Sequence, residues 1–250
     1  MSLRRGSISA ISSVERAASA KPAVACTLQQ SCSTPVLGRG DLTSKRNLNI
    51  IKRDMRMRRL LAAMIATPCT SWSQARNRTN VIRTAAEPWG NSSPPKPLSR
   101  ADIERLRVGN QTMRASIEII RVAHSLGLPW ALENPTGSVM WSTSFLRGMA
   151  RDPRVSVAVF DQCAFGQPWR KRTRVMFGNC DEADVEALRL RRCHGKRICS
   201  FTRRPHVQLT GSGPDGKPLT ARAQEFPKSL SSQLARILLH DVLNARTQRH

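Results

Sequence analysis

Cys69 stands in the run Thr67-Pro68-Cys69-Thr70-Ser71-Trp72-Ser73, where an apolar stretch gives way to a polar turn. A cysteine in such a place can meet a substrate, and its thiolate is a nucleophile whose pKa falls below about 8.5 when cations or helix N-termini are near. Arg76 and Arg78 follow closely. The competing reading of any unpaired cysteine is a buried, inert small hydrophobe. Glu133 closes a second apolar stretch in Leu132-Glu133-Asn134-Pro135. A carboxyl partly withdrawn from water holds its proton more tightly and can donate it; the alternative is a turn-forming Glu-Asn-Pro and nothing more. Arg172 and Arg174 alternate in Arg170-Lys171-Arg172-Thr173-Arg174, after the turn Gly166-Gln167-Pro168-Trp169. On a strand they project to one side, either to bind a phosphate or base carbonyl or as a solvated basic edge.

A separate group of metal-ligating types follows. Cys193-x5-Cys199-x6-His206, together with Cys180, supplies four candidate zinc ligands. The spacing matches none of the standard ribbons or fingers, so scattered thiols are the other reading. Arg189, Arg191, Arg192, Lys196, Arg197, Arg203 and Arg204 surround them. Zinc would account for the folding of so small and Arg-rich a segment, and its cations would bind phosphates in a salt-sensitive way.

The elements that must position these residues alternate between helix and strand. Residues 44–58 read as a basic helix, and Leu60-Leu61-Ala62-Ala63-Met64-Ile65-Ala66 as a strand stopped by Thr67-Pro68. Residues 84–98 carry Pro88, Gly90, Pro94, Pro95 and Pro97 and read as a loop. Ser99 is the expected N-cap of a long helix with Asp102 and Glu104 in its first turn. Ile103, Leu106, Met113, Ile117, Ile120 and His124 fall on one face, and Gly127 ends it. A short strand is expected within residues 129–135, stopping at the polar turn, further strands at 155–160 and 174–178, and an amphipathic helix over about 228–245. Residues 180–226 read as a small basic insertion. The pattern predicts an α/β domain over residues 41–250 with a mostly parallel, Rossmann-like sheet, whose chemistry gathers beyond the carboxyl ends of the strands. Both Cys69 and Glu133 fall just past such an end.

The order of these pieces resembles the cytosine-C5 DNA methyltransferase family. Pro68-Cys69 with Ser73 is similar to that family's Pro-Cys-Gln-x-Phe-Ser motif, with Thr70 in the Gln position. Glu133-Asn134-Pro135 resembles its Glu-Asn-Val motif, and Arg170 to Arg174 its Gln-x-Arg-x-Arg motif. The resemblance covers roughly residues 41–245. It implies that Cys69 attacks C6 of a cytosine while Glu133 serves N3, and that Pro68, Ser73, Asn134 and Pro135 shape the pocket. It implies that Arg172 and Arg174 grip the target nucleotide, and that S-adenosylmethionine is the methyl donor. The family's donor site opens with a Gly-rich turn after its first strand. Leu37-Gly38-Arg39-Gly40 has no evident strand before it, so a domain truncated at its N-terminal side is expected, with Asp41 the candidate contact to adenosine. The alternative is a methyltransferase-like protein that binds nucleic acid without catalysis.

Composition agrees with a polyanionic partner. The formal charge is +24, from 41 Lys and Arg against 17 Asp and Glu, an excess that a polyanion relieves. Nucleic acid is the first partner this charge suggests and an anionic membrane surface the second, the plain alternative being a solvated Arg-rich surface; the resemblance puts DNA first, with RNA as the other polymer. Seven cysteines, an odd number, and no secretory signal favour free thiols or metal ligands over a disulfide framework. No apolar run approaches the roughly 20 residues of a spanning helix. Residues 1–40, rich in Ser, Ala and Arg with Glu15 alone acidic, read either as a transit peptide or as a disordered basic tail. The first reading sends the chain to an organelle; the second leaves the compartment inside the cell open, the nucleus included.

Overall fold

The computed structural model describes residues 24–29, 40–73, 80–213, 216, 219–223 and 225–247, with side chains for all of these except 24–29, 40–41, 221 and 241–247. One mixed sheet organises the chain, built on the strands β3 (Leu60–Ala66), β4 (Trp130–Pro135), β5 (Val155–Asp161) and β6 (Arg172–Gly178). Two further strands, β1 (Val24–Gln29) and β2 (Gly40–Asp41), extend it beyond β3 in the order β2-β1-β3-β4-β6-β5. Of the helices, α1 (Lys45–Arg56), α2 (Arg100–Ser125) and α3 (Ser144–Met149) precede β5. The helices α4 (Glu182–Arg189), α5 (Leu219–Arg222) and α6 (Lys228–Thr247) follow β6.

Strand alternation divides the core into two layers. Ala63, Ile65, Trp130, Leu132 and Met176 pack with Leu48, Ile51 and Met55 of α1 and with Met113, Ile117 and Ile120 of α2. Their sequence neighbours Ala62, Met64, Ala131, Val175 and Phe177 pack with Val185 and Leu188 of α4 and with Leu230, Leu234 and Ile237 of α6. Helices thus cover both faces, and β4 is buried throughout, with only Pro135 partly exposed. A strand covered on both sides must be apolar at every position, which makes the polar pair at its end, Glu133 and Asn134, conspicuous.

β3 and β4 pair in parallel, with Ala63 opposite Trp130 and Ala66 opposite Glu133. A parallel neighbour demands a long crossover, and α2 supplies it. The Ser99 hydroxyl caps its start by accepting from Asp102 N at 3.1 Å. Its end closes on Gly127 at φ +65°, with Leu128 N donating to Ala123 O at 2.9 Å. Ile103, expected on the buried face, is 54% exposed; the buried residue in that first turn is Asp102, held by the cap.

The sheet is less parallel than the alternation of elements suggests. β6 runs antiparallel to both β4 and β5, and β1 antiparallel to β3. Residues 162–171 are too few for a crossover of about a dozen residues or more, so β5 and β6 can join only as antiparallel neighbours. Two other expectations change. Val24–Gln29 lies in the sheet, although residues 1–40 read as a tail; the rest of that stretch, with the transit-peptide reading, lies outside the described residues except Gly40. Within residues 180–226, α4 belongs to the main core: Asp181 caps it, and Val185 and Leu188 are fully buried beside β5 and α6. Among the described residues no helix is long and apolar enough to cross a membrane.

Close packing sets a direct test. A Cβ on Gly178 would lie 2.2 Å from the Trp130 indole, which is fully buried. Gly178→Ala is therefore expected to destabilise the fold by about 1–3 kcal/mol through overpacking. Gly148 in α3 has nothing within 4 Å of its added Cβ, and Gly148→Ala should leave stability unchanged or raise it by up to ~1 kcal/mol. Urea denaturation of the two variants measures both.

Candidate functional site

The carboxyl ends of β3 and β4 carry the two residues singled out for chemistry. Past Ala66, the chain turns through Thr67-Pro68-Cys69, and the Cys69 carbonyl accepts from Trp72 N at 3.1 Å and Ser73 N at 2.9 Å. Past Glu133, the Pro135 carbonyl accepts from Ser138 N and from the Trp141 indole, both at 2.9 Å. The two turns are laced together. Asn134 Nδ2 donates to Thr67 O at 2.7 Å, Val139 N donates to Trp72 O at 2.9 Å, and Ser73 bridges Ser138. Ser73, Asn134 and Pro135 therefore tie the two turns together, and Pro68 lies in the first of them, next to Cys69.

Behind Cys69 the loop is anchored by a buried arginine. Arg83 lies 3.6 Å from the Trp72 ring centroid and donates to Ser71 Oγ, Pro88 O and Asn110 Oδ1 at 3.1, 2.6 and 2.7 Å. Burial pulls its pKa down to about 10, so it remains a cation at neutral pH. Gly109 faces this cluster: a Cβ there would lie 2.2 Å from Ser71 Oγ.

Cys69 stays partly exposed. Burial and then the Glu133 charge push its thiol up, while Lys171 and a backbone hydrogen bond pull the other way. Glu133 is 6% exposed, and burial pushes its carboxyl up against the pull of Lys171. Among the described residues its Oε1, like the Oδ1 of Asn134, is buried without a hydrogen-bond partner. A buried polar atom left unpaired is suited to a ligand's hydrogen bond.

Lys171 is the member that sequence reasoning missed. It precedes β6, where it donates to Ala223 O at 2.7 Å, and its charge acts on both Cys69 and Glu133. Strand parity explains why the neighbouring arginines do not. Arg174 pairs with Asn134, and Glu133 pairs with Val175. Directly opposed residues share a face, so Arg172 and Arg174 lie on the side of the sheet away from Glu133. Arg174 stacks 4.6 Å from the Trp141 ring centroid. Arg172 grips buried Asp161 with Nε to Oδ1 and Nη2 to Oδ2, each at 3.0 Å. No spacing in the sequence signals this; the pairing register of β4 and β6 alone reveals it.

Asp41 stands in the same row of the sheet, through Val24 and Ala66 to Glu133; its side chain is outside the described set. A strand does precede Leu37-Gly38-Arg39-Gly40, but β1 runs antiparallel to β3, so its carboxyl end at Gln29 lies opposite Leu60, at the far edge. Among the described residues no glycine turn opens beside Cys69 from a neighbouring strand. They do not fit S-adenosylmethionine there.

A second group lies beyond the end of β5. Cys163, Cys193, Cys199 and His206 are buried, and their ligand atoms lie within 4.8 Å of one another, an arrangement that can hold a metal ion. Cys180, expected among the ligands, is replaced by Cys163. It follows Gly178, which pairs with Trp130 at the start of β4. That is a full strand away from the group, since β6 begins beside Asp161 and ends at Gly178. Its Sγ instead lies 3.4 Å from Gly178 O. Burial pushes the Cys193 and Cys199 thiols up, but hydrogen bonds from Ser200 and from Thr202 and Phe201 outweigh it, bringing Cys199 to about 7. Cys163 is pushed up by burial and by the two thiols it contacts.

Compared with known proteins, the chain matches no family model, and no curated protein or solved structure matches it.

The buried carboxyl has a consequence for stability. Because Glu133 holds its proton above the ordinary carboxylate range, folding takes up a proton between the ordinary and the raised pKa. Stability is then greatest where the group is protonated, falls as pH rises through that window, and is level above it. Glu133→Gln should accordingly raise the urea midpoint at about pH 8 and lose that gain towards about pH 4. Equal midpoint shifts at both pH values would contradict it.

Proposed function

We propose that the chain carries the cytosine-facing half of a C5-methyltransferase site, and that Cys69 and Glu133 act together on a cytosine of DNA. The observation that supports this is the pairing of a partly exposed thiol with a buried carboxyl at one sheet edge, each group's environment raising its hold on a proton. The motif order that resembles the C5-methyltransferase family supplies the substrate class.

The chemistry follows from the pair. Two neighbouring acids in a desolvated turn do not both ionise readily, so they hold one proton between them and titrate jointly. With that proton on Glu133, Cys69 is the thiolate and Lys171 balances its charge. The sulfur adds to C6 of the base, the C5–C6 double bond opens, and the electron pair moves towards C5 and N3. Glu133 gives its proton to N3, so the thiol proton has passed to the base through the carboxyl and no net charge is left in the pocket. The unpaired Oε1 of Glu133 supplies a polar contact for the base edge. A cytosine within a duplex is flipped from the stack to reach them. RNA offers the same base and is the competing polymer.

In the family that the motifs resemble, C5 of this adduct takes a methyl group from S-adenosylmethionine. The described residues do not fit that donor beside Cys69, so the chemistry assigned to them ends at the adduct. The second reading, a DNA-binding protein of this fold that does not methylate, is favoured by the antiparallel run of β1.

A DNA oligonucleotide with 2-pyrimidinone in place of one cytosine tests the first step, because its C6 is more electrophilic. Wild-type protein should form an adduct that survives a denaturing gel, Cys69→Ala none, and Glu133→Gln should slow its formation about a hundredfold. Wild type that traps no more than Cys69→Ala sinks the reading. Transfer of a labelled methyl group from S-adenosylmethionine to ordinary DNA then separates a methyltransferase from a binder.

A further inference from the structure

Residues 191–208 fold without a core of their own. Arg191, Arg192, Lys196, Arg197, Arg203 and Arg204 are all exposed. So are Ile198, Phe201 and Val207, at 50, 42 and 43%. The chain has no acidic residue between Glu186 and Asp215, so mutual repulsion of these cations opposes the fold. Yet the backbone is ordered as a tight hairpin: Cys199 N donates to Arg204 O at 2.8 Å, Arg203 N to Cys199 O at 2.9 Å, and His206 N to Arg197 O at 2.8 Å. The side chains it buries are Cys193, Cys199 and His206. Segments too small to bury an apolar core are held by disulfides or metals.

No disulfide holds it: Cys163, Cys193 and Cys199 are free thiols, and Cys193 Sγ and Cys199 Sγ are 4.0 Å apart, against about 2.05 Å for a bond. A tetrahedral zinc site, with Zn–S about 2.3 Å and Zn–N about 2.0–2.1 Å, requires sulfurs about 3.8 Å apart and S···N about 3.5 Å. The separations here are 4.0 Å for that sulfur pair and 3.6 Å from Cys193 Sγ to His206 Nε2. Cys163 completes the set from the turn after β5.

The surroundings are those of a metal site. Ser200 N and Oγ lie 3.3 and 3.4 Å from Cys193 Sγ and donate to it, as suits a thiolate ligand. His206 Nδ1 lies 3.4 Å from Lys196 O, an outer contact that selects the tautomer with Nε2 free to ligate. Gly195 lets the chain turn tightly after Cys193: a Cβ there would lie 1.7 Å from the Ile198 carbonyl oxygen.

We propose that Cys163, Cys193, Cys199 and His206 bind one Zn²⁺ in a closed, structural site that fastens the basic hairpin to the end of β5. Four protein ligands, all buried, leave no open position for a substrate or water, unlike a catalytic zinc. Thiolate-rich sites of this geometry suit zinc. The link to the sheet is direct. Cys193 N donates to Asp161 Oδ2 at 2.9 Å, the same carboxylate that Arg172 grips, and Arg170 Nη2 donates to Cys193 O at 2.8 Å. The ion thereby holds the start of β6, and with it Lys171, in place beside Cys69 and Glu133.

The inference stands apart from the cytosine reading, because metal content is read without DNA or methyl donor. Full-length protein without a histidine tag, purified under reducing conditions, should contain about one zinc per chain by elemental analysis. Cys163→Ser and Gly195→Ala should each lower that content at least about tenfold after dialysis against a mild chelator, while Cys180→Ser keeps it. Since ligand variants can simply unfold, wild-type protein loaded with Co²⁺ provides the second measurement: intense thiolate-to-cobalt bands and the visible bands of a tetrahedral ion are expected. Wild type with less than about a tenth of a zinc per chain, iron in its place, an octahedral cobalt spectrum, or a Cys180→Ser variant that loses metal as Cys163→Ser does would each overturn the assignment.

Discussion

The parallel register of β3 and β4 is the constraint on which the site depends. With Ala66 opposite Glu133, the turn that holds Cys69 comes alongside the only carboxyl in β4. A slip of one residue would carry Glu133 to the other face of the sheet, among the side chains of α1 and α2, and would send Asn134 into its place. The hydrogen bond from Asn134 Nδ2 to Thr67 O opposes such a slip, since it joins the two strand ends at one fixed offset. The bonds between the Trp72 and Val139 backbones and between Ser73 and Ser138 repeat that offset in the loops. Position in the fold and chemistry at the edge are thus set by the same few contacts.

Three buried ionisable groups show how a strongly basic chain accommodates charge inside. Asp161 is fully buried and answered by Arg172, Arg170 and the Cys193 amide, so its charge is balanced and its lone pairs are occupied. Arg83 is 2% exposed and meets carbonyls, a hydroxyl, an amide oxygen and an aromatic face. It fixes the loop behind Cys69 through its two terminal nitrogens, while its Nε has no partner among the described residues. Glu133 is answered least. Burial raises its proton affinity, one oxygen has no partner among the described residues, and the nearby Lys171 only partly offsets the loss of water. Such an arrangement works against stability and in favour of proton transfer, the trade expected where function opposes the fold.

The Cys/His hairpin answers a different problem. Net charge of +24 favours association with a polyanion but weakens a compact state by self-repulsion. Most of the chain offsets this with two apolar layers on either side of the sheet. The hairpin cannot, because its apolar side chains point outward and its buried ones are thiols and an imidazole. A cation bound at that point converts the segment from a liability into a rigid basic surface near the proposed nucleotide pocket, joined through Asp161 to the strand that carries Lys171.

Much of this was legible in the residues themselves. The run from Leu60 to Ala66 bounded by Pro68, the cap at Ser99, the glycine stop at 127 and the apolar strand ending at Glu133 are local patterns, and local patterns specify local structure. The order of Cys69 and Glu133 sufficed to propose that they meet, although Glu133, expected just past a strand, is a paired residue inside β4. What tertiary structure alone decided is non-local. A strand's two faces are alternate residues, so whether Lys171 or Arg172 shares a face with Glu133 turns on a register that no spacing within β6 contains. Cys163 joins Cys193, Cys199 and His206 because Asp161 draws the later segment against the end of β5. Cys180 lies nearer to those residues in sequence but is carried off by the length of β6. Residue order singled out Cys69 and Glu133; the antiparallel return of β6 placed Lys171 beside them and kept Cys180 away from the Cys/His group.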